Sequence, residues 1–274
     1  MRIPPNILLI TTDHLRYDTL GYSGDPVLET PSIDQLASEA TRFSNCFVQS
    51  PVCKPSRATI MTGRYPRHHG VRWNGSNLSE NEVTMIEFFH HSGYSTACIG
   101  KHHISQKKFI NNLDYLEALG IRRNWAENPD GIYQIDEENP FEKYVSSRGY
   151  TYKTGYALQD FRKNLGAVPS DLPADCHIDA YVGQKGRKFL QQFNGKDPFF
   201  LWLGFYGPHH PYVPSGRFAQ MYHPDDVPPF RGEKQDLQEK PLEYQLYCQA
   251  ENHKFRGFNS ACLLYTSPSP RDRG

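Results

Sequence analysis

Two stretches of this 274-residue chain restrict its architecture more than any others, Asn6–Thr12 (NILLITT) and Pro198–Tyr206 (PFFLWLGFY). Both are short, nearly continuous apolar runs rich in β-branched or aromatic side chains, the pattern of strands covered on both faces by other elements. Each stops at polar residues: Asp13-His14 after the first, Gly207-Pro208-His209-His210-Pro211 after the second. Between them, strand and helix patterns alternate. Thr30-Pro31-Ser32 supplies cap and first-turn chemistry for a helix through SIDQLASEA, and RFSNCFV follows as a strand. Ser56–Thr62 reads as a helix stopped by Gly63, Thr84–His91 as another, Tyr94–Ile99 as a strand and Ile178–Phe193 as a helix. The order predicts an α/β fold, a large mixed and mostly parallel sheet flanked by helices. Ligands of such sheets collect beyond the carboxyl ends of the strands.

From residue 105 to 173 the periodicity loosens, which predicts an irregular excursion or lid that covers a site instead of adding to the core. Residues 251–274 end in SPSPRDRG without an amphipathic period, and are expected to be a disordered or non-native tail on a 1–250 region. Lys plus Arg and Asp plus Glu both number 30, so no overall field recruits nucleic acid or an anionic membrane. There is no apolar run long enough to span a bilayer and no signal-peptide pattern. A cytoplasmic location is expected, or a periplasmic or secreted one if the true N-terminus lies upstream. Cys46, Cys98, Cys176, Cys248 and Cys262 are scattered without a CxxC pair and read as small buried hydrophobes.

Three polar clusters each follow a predicted strand: Asp13-His14, Lys101-His102-His103 and His209-His210. Singly, each has a plain structural reading, as a helix cap, a solvated loop and a surface pair beside a proline. Together with Cys53-Lys54-Pro55-Ser56-Arg57 (CKPSR) at a helix start, they supply a carboxylate, a guanidinium, an ammonium and imidazoles. That set suits a tetrahedral oxyanion beside a divalent cation.

PNILLITTDHLRYDTLG, TPSIDQLASEATRFSNCFV, PVCKPSRATIMTGRYP, GYSTACIGKHH and DPFFLWLGFYGPHHPY follow one another over roughly residues 5–215. In this order they resemble the type I, formylglycine-dependent sulfatases of the alkaline phosphatase superfamily. The resemblance implies that Cys53 is oxidised to formylglycine (3-oxoalanine) by a formylglycine-generating maturation enzyme. The hydrated aldehyde then offers one oxygen to attack sulfur and another to expel sulfate. It implies one Ca²⁺ bound by Asp13 and the modified Cys53, with Arg57 holding the diol oxygen. It further implies that Lys101, His103 and His209 act on the sulfate group, that Lys101 or His209 protonates the leaving alcohol, and that His210 is loop structure. The implied substrate is a small-molecule or carbohydrate sulfate ester.

The chain departs from the family pattern at several places. His14 stands where many relatives have a second aspartate, Lys54 where the residue is usually small, and His102 where it is often aromatic. No later apolar strand ends in the Asp-His or Asp-Asn pair that completes the family's metal site; Asp225-Asp226 is the only tandem acidic pair after His209. The expectation is therefore the N-terminal part of a sulfatase catalytic domain with roughly half a metal site. A phosphonate or phosphate ester hydrolase of the same superfamily, and an inactive fragment, stand as alternatives.

Overall fold

The computed structural model describes residues 4–118, 139–153, 167–223, 226 and 242. The described residues divide into two compact units, one drawn from 1–13, 43–152 and 175–207, the other from 14–42, 153–174 and 208–274. The expected tail at 251–274 lies outside the described residues.

The first unit is built on a four-stranded sheet of order β1-β4-β2-β3, where β1 is Ile7–Thr11, β2 Ser95–Gly100, β3 Tyr115–Ala118 and β4 Phe199–Gly204. Every ladder is parallel. Thr11 pairs with Gly204, Gly204 with Gly100, and Gly100 with Ala118, so all four strands end along one line. This register sets the polar residues that follow β1 and β2 on the same edge of the sheet. The α/β fold expected from the sequence is what the chain adopts.

β4 is buried along its whole length, as PFFLWLGFY predicts. Phe200 and Trp202 pack on one face with Ala58 and Met61 of α2 (Cys53–Thr62), Ile86 of α4 (Met85–His91) and Phe109 of α5 (Lys107–Asn111). Leu203 meets α7 (Ile178–Gln192) on the other face, where Gly186 leaves no room for a side chain: a Cβ there would lie 2.7 Å from Leu203 Cδ1. Two layers of helix thus exclude water from both faces of the strand, which is why its residues show no polar alternation.

Four expectations are corrected. β1 alternates instead of being covered on both faces: Leu8 is 43 % and Ile10 52 % exposed. It is an edge strand of the described sheet, with one face open. RFSNCFV forms no strand, and Phe43, Phe47 and Val48 are exposed; a β-branched and aromatic run becomes a strand only when another strand pairs with it. The described parts of the 105–173 segment do add to the core, contributing α5, β3 and α6 (Pro140–Ser147), with Phe109, Phe141 and Val145 buried, while 119–138 and 154–166 lie outside the described residues. α2 also begins at Cys53, earlier than the expected Ser56, because Pro55 sits in the first turn, where its missing N–H leaves no helical bond unmade.

The second unit carries α1 (Pro31–Glu39), anchored by Asp34, which accepts from Tyr22 N at 2.8 Å and from Thr30 Oγ1 at 2.9 Å. Isolated parallel bridges join Ala167 to Tyr212 and Ser170 to Ser215. Among the described residues no helix is long and apolar enough to cross a membrane.

The line of strand ends depends on two glycines. Gly100 has φ +92°, and a Cβ on it would stand 2.2 Å from the Gly204 carbonyl oxygen; one on Gly204 would stand 2.0 Å from the Lys101 carbonyl oxygen. Gly100→Ala is therefore expected to lower the unfolding free energy by at least ~2 kcal/mol, from left-handed strain plus the overlap. Urea unfolding monitored by Trp fluorescence measures it, and an unchanged midpoint would show that the strand ends are not packed this closely.

Candidate active site

Past the carboxyl end of β1, Asp13 is buried, and its amide donates to the Gly207 carbonyl at 3.1 Å. Its Oδ2 accepts from Lys101 Nζ at 2.6 Å and from Arg57 at 3.2 Å, and all three side chains are almost wholly excluded from solvent. Arg57 also donates to the Lys101 carbonyl and lies over the Trp202 ring at 5.8 Å. The Lys101 ammonium lies over the Tyr206 ring at 5.7 Å. Tyr206 itself is held well above the ordinary phenol range by its burial.

The loop after β4 is pinned by Asp179 in the first turn of α7, which accepts from Tyr206 N at 2.6 Å and Gly207 N at 2.9 Å. Gly207 in turn receives the Asp13 amide, so a continuous run of hydrogen bonds sets the position of the buried carboxylate.

Cys53 opens α2, one helical turn before Arg57, so both side chains lie on one face of the helix. The Cys53 thiol is partly exposed and donates to Asn74 Oδ1 at 3.5 Å, which also accepts from Lys54 N at 3.1 Å. Asn74 thereby links the thiol to one of the unpaired amides at the helix start. Asn77 accepts from Lys54 Nζ at 2.7 Å and from Ser105 Oγ at 3.0 Å. Burial lowers the Lys54 ammonium below its ordinary range.

His103 has φ +60°, and crowding by the protein, then the charges of Lys101 and Arg57, push its imidazole down to about 3. His103 is exposed, which weakens the first of these causes, while the two cations act in the same direction; the ring is neutral at neutral pH. His102 is pushed down to about 4 by burial and by Arg57, accepts from Ile104 N through Nδ1 at 3.1 Å, and stacks on Phe109.

A sequence model of the family described as Sulfatase matches residues 5–251. The chain belongs to the sulfatase family. This sulfatase-family chain is 30 % identical over 238 residues to an arylsulfatase of Clostridium perfringens, covering 82 % of this chain and 47 % of that protein. It is 32 % identical over 256 residues to the uncharacterized sulfatase YidJ of Escherichia coli, covering 90 % and 47 %. Among solved structures, the phosphonate monoester hydrolase of Agrobacterium radiobacter superposes with a TM-score of 0.67 at 22 % identity, covering 89 % of this chain and 49 % of that one. That likeness shows the shared alkaline phosphatase fold. The chain spans about half the length of the two curated relatives.

Of the residues singled out in the sequence, the sulfatase-family structure brings Asp13, Arg57 and Lys101 into direct contact, sets Cys53 on the helix that carries Arg57, and places His103 within reach of the Lys101 and Arg57 charges. His209 belongs to the second unit, where it stacks between His14 and His210, so His210 is part of a cluster. A calcium ion takes six to eight oxygens. Asp13 offers one carboxylate, with Oδ2 already engaged by two cations, and Cys53 offers a soft sulfur. The described residues therefore do not by themselves build a Ca²⁺ site.

Asn74, Asp179 and Tyr206 escaped the sequence reading. Asn74-Gly75 reads as a turn and Asp179 as an ordinary acidic residue in a first helical turn. Only the folded chain connects them to Cys53 and Asp13.

The depressed His102 sets a pH dependence. In the unfolded chain a histidine takes its proton near pH ~6.5, and in the fold only near 4. Its contribution to stability is thus complete above the unfolded value and is lost as pH falls from there toward 4. His102→Gln should flatten the decline in stability across that window, by up to ~1.4 kcal/mol per pH unit. Urea midpoints at neutral and mildly acidic pH measure this, and an identical slope in the two proteins would refute it.

Proposed function

We propose that the protein hydrolyses sulfate esters and releases inorganic sulfate, after a maturation enzyme has oxidised Cys53 to formylglycine. The observation that carries this reading is Arg57: one turn along the helix that Cys53 opens, buried, and held to both Asp13 and the Lys101 carbonyl. Two cations face a single carboxylate there, so the site holds a surplus positive charge that suits a sulfate monoanion.

Formylglycine at position 53, once hydrated, supplies an oxygen for attack on sulfur and a second hydroxyl through which sulfate is released. The remaining work falls to this chain's own side chains. The Lys101 ammonium has three N–H donors, one of them committed to Asp13, and can turn another toward the sulfuryl oxygens. As the bond between sulfur and the ester oxygen breaks, Lys101 passes a proton to the departing alkoxide. His103, neutral, donates one hydrogen bond without adding charge. Fixed donors of this kind contribute most where charge develops in the transition state.

Co-expression with a formylglycine-generating enzyme, followed by peptide mass analysis, should find the aldehyde at Cys53 and at no other cysteine. Turnover of an aryl sulfate, a carbohydrate sulfate and an aryl phosphonate is then compared for this 274-residue chain and for a version extended to the full length of its relatives. Sulfate ester hydrolysis is expected in the extended protein and little in the shorter one. Lys101→Ala should lower kcat about 10²-fold. Preference for the phosphonate would assign the protein to phosphonate hydrolysis, and unmodified Cys53 with full sulfatase activity would overturn the proposal.

A further inference from the structure

We propose that His14, His209 and His210 form a binding site for a divalent cation of the zinc, nickel or copper class. All three lie in the second unit, His14 following β1 in sequence and the other two following β4. One ligand atom from each imidazole lies within 4.8 Å of the others. Two Zn–N bonds of ~2.0–2.1 Å at a tetrahedral angle set their nitrogens about 3.3–3.4 Å apart, so the rings unstack and turn about their side-chain torsions to close around an ion. His209 is central: its ring centroid is 4.3 Å from that of His14 and 4.3 Å from that of His210, with interplanar angles of 25° and 22°. The outer pair is 6.2 Å apart.

The Nδ1 of His209 contacts the His210 carbonyl oxygen, which can only accept, so a hydrogen on Nδ1 suits this contact and makes Nε2 the ligand atom. A ring N–H donated to a backbone carbonyl is the usual way a histidine ligand is oriented, and it raises the basicity of the other nitrogen. His14 is held with φ +62°, which turns its side chain away from the course of the strand; Asp13 is buried and His14 exposed. Imidazole nitrogen favours borderline cations, whereas Ca²⁺ and Mg²⁺ favour oxygen. Three imidazoles with open positions left for water therefore discriminate against the hard ions.

Cation binding by these three imidazoles does not depend on the sulfate chemistry proposed at Cys53. Isothermal titration of the chain with ZnCl₂, NiCl₂ and CaCl₂ in buffers free of chelators tests it, together with Cu²⁺ electron paramagnetic resonance. His14→Asn keeps a residue that tolerates positive φ, so it removes the imidazole without unfolding the turn. His14→Asn and His209→Ala are each expected to weaken Zn²⁺ and Ni²⁺ binding at least tenfold and to remove nitrogen hyperfine structure from the Cu²⁺ spectrum. His90→Ala, in a separate pair with His91, should leave both unchanged, and Ca²⁺ should not compete. Circular dichroism confirms that each variant is folded. Absence of Zn²⁺ and Ni²⁺ binding by the unaltered chain, or binding that survives both His14→Asn and His209→Ala, would overturn the proposal.

Discussion

The contact of the Asp13 carboxylate with Lys101 and Arg57 is the interaction on which the first unit's polar edge depends. Removing charged groups from water costs several kcal/mol for each ion, and only close pairing with good geometry offsets it. Here two positive charges meet one negative charge, leaving a surplus of one in a region almost closed to solvent. That surplus has consequences around it. It opposes protonation of His103 and adds to the burial that keeps His102 neutral. The same field, which adds to burial in keeping these rings uncharged, favours an incoming anion.

Holding that carboxylate in place is a matter of backbone geometry. β1, β4 and β2 end in register, and Gly100 and Gly204 let the chain pass where any side chain would collide with a carbonyl. α7 then secures the loop beyond β4 through Asp179, whose two oxygens take the amides of Tyr206 and Gly207. The helix that covers one face of the sheet thereby also positions, through Gly207, the residue that binds both cations. Packing and electrostatics are joined at this point: loss of the Asp179 clamp would loosen the loop without touching the core of Phe200 and Trp202.

α2 performs a second coupling. Its apolar side, with Ala58 and Met61, lies against the sheet, and this fixes the rotation of the helix. That rotation sends Arg57 inward to Asp13 and sets Cys53 at the first turn, where Asn74 receives the thiol and the Lys54 amide together. The partial exposure of Cys53 contrasts with the full burial of Cys98, whose thiol is pushed up to about 12 by loss of water and is thereby kept unreactive.

Much of this was legible in the chain itself. Apolar runs ending at polar clusters marked β1, β2 and β4, and CKPSR marked the start of a helix bearing cysteine and arginine, because strand burial and helix entry are encoded by neighbouring residues. The positions of Asp13, Arg57 and Lys101 could be named for the same reason. What the sequence did not reveal was coverage: NILLITT and PFFLWLGFY look equally apolar, yet among the described strands β1 lies at the edge with one face exposed and β4 is central. RFSNCFV has strand composition and no strand, and residues 107–118 lack clear periodicity yet supply a helix and an edge strand. Nor did local pattern show that Asn74 would meet Cys53, that Asp179 would hold the β4 loop, or that His209 would lie between two other imidazoles. Local composition determines which segments favour strand or helix and where polar groups interrupt them. Which faces are covered, and which distant side chains share a charge or a hydrogen bond, is decided only when long-range packing brings those segments together.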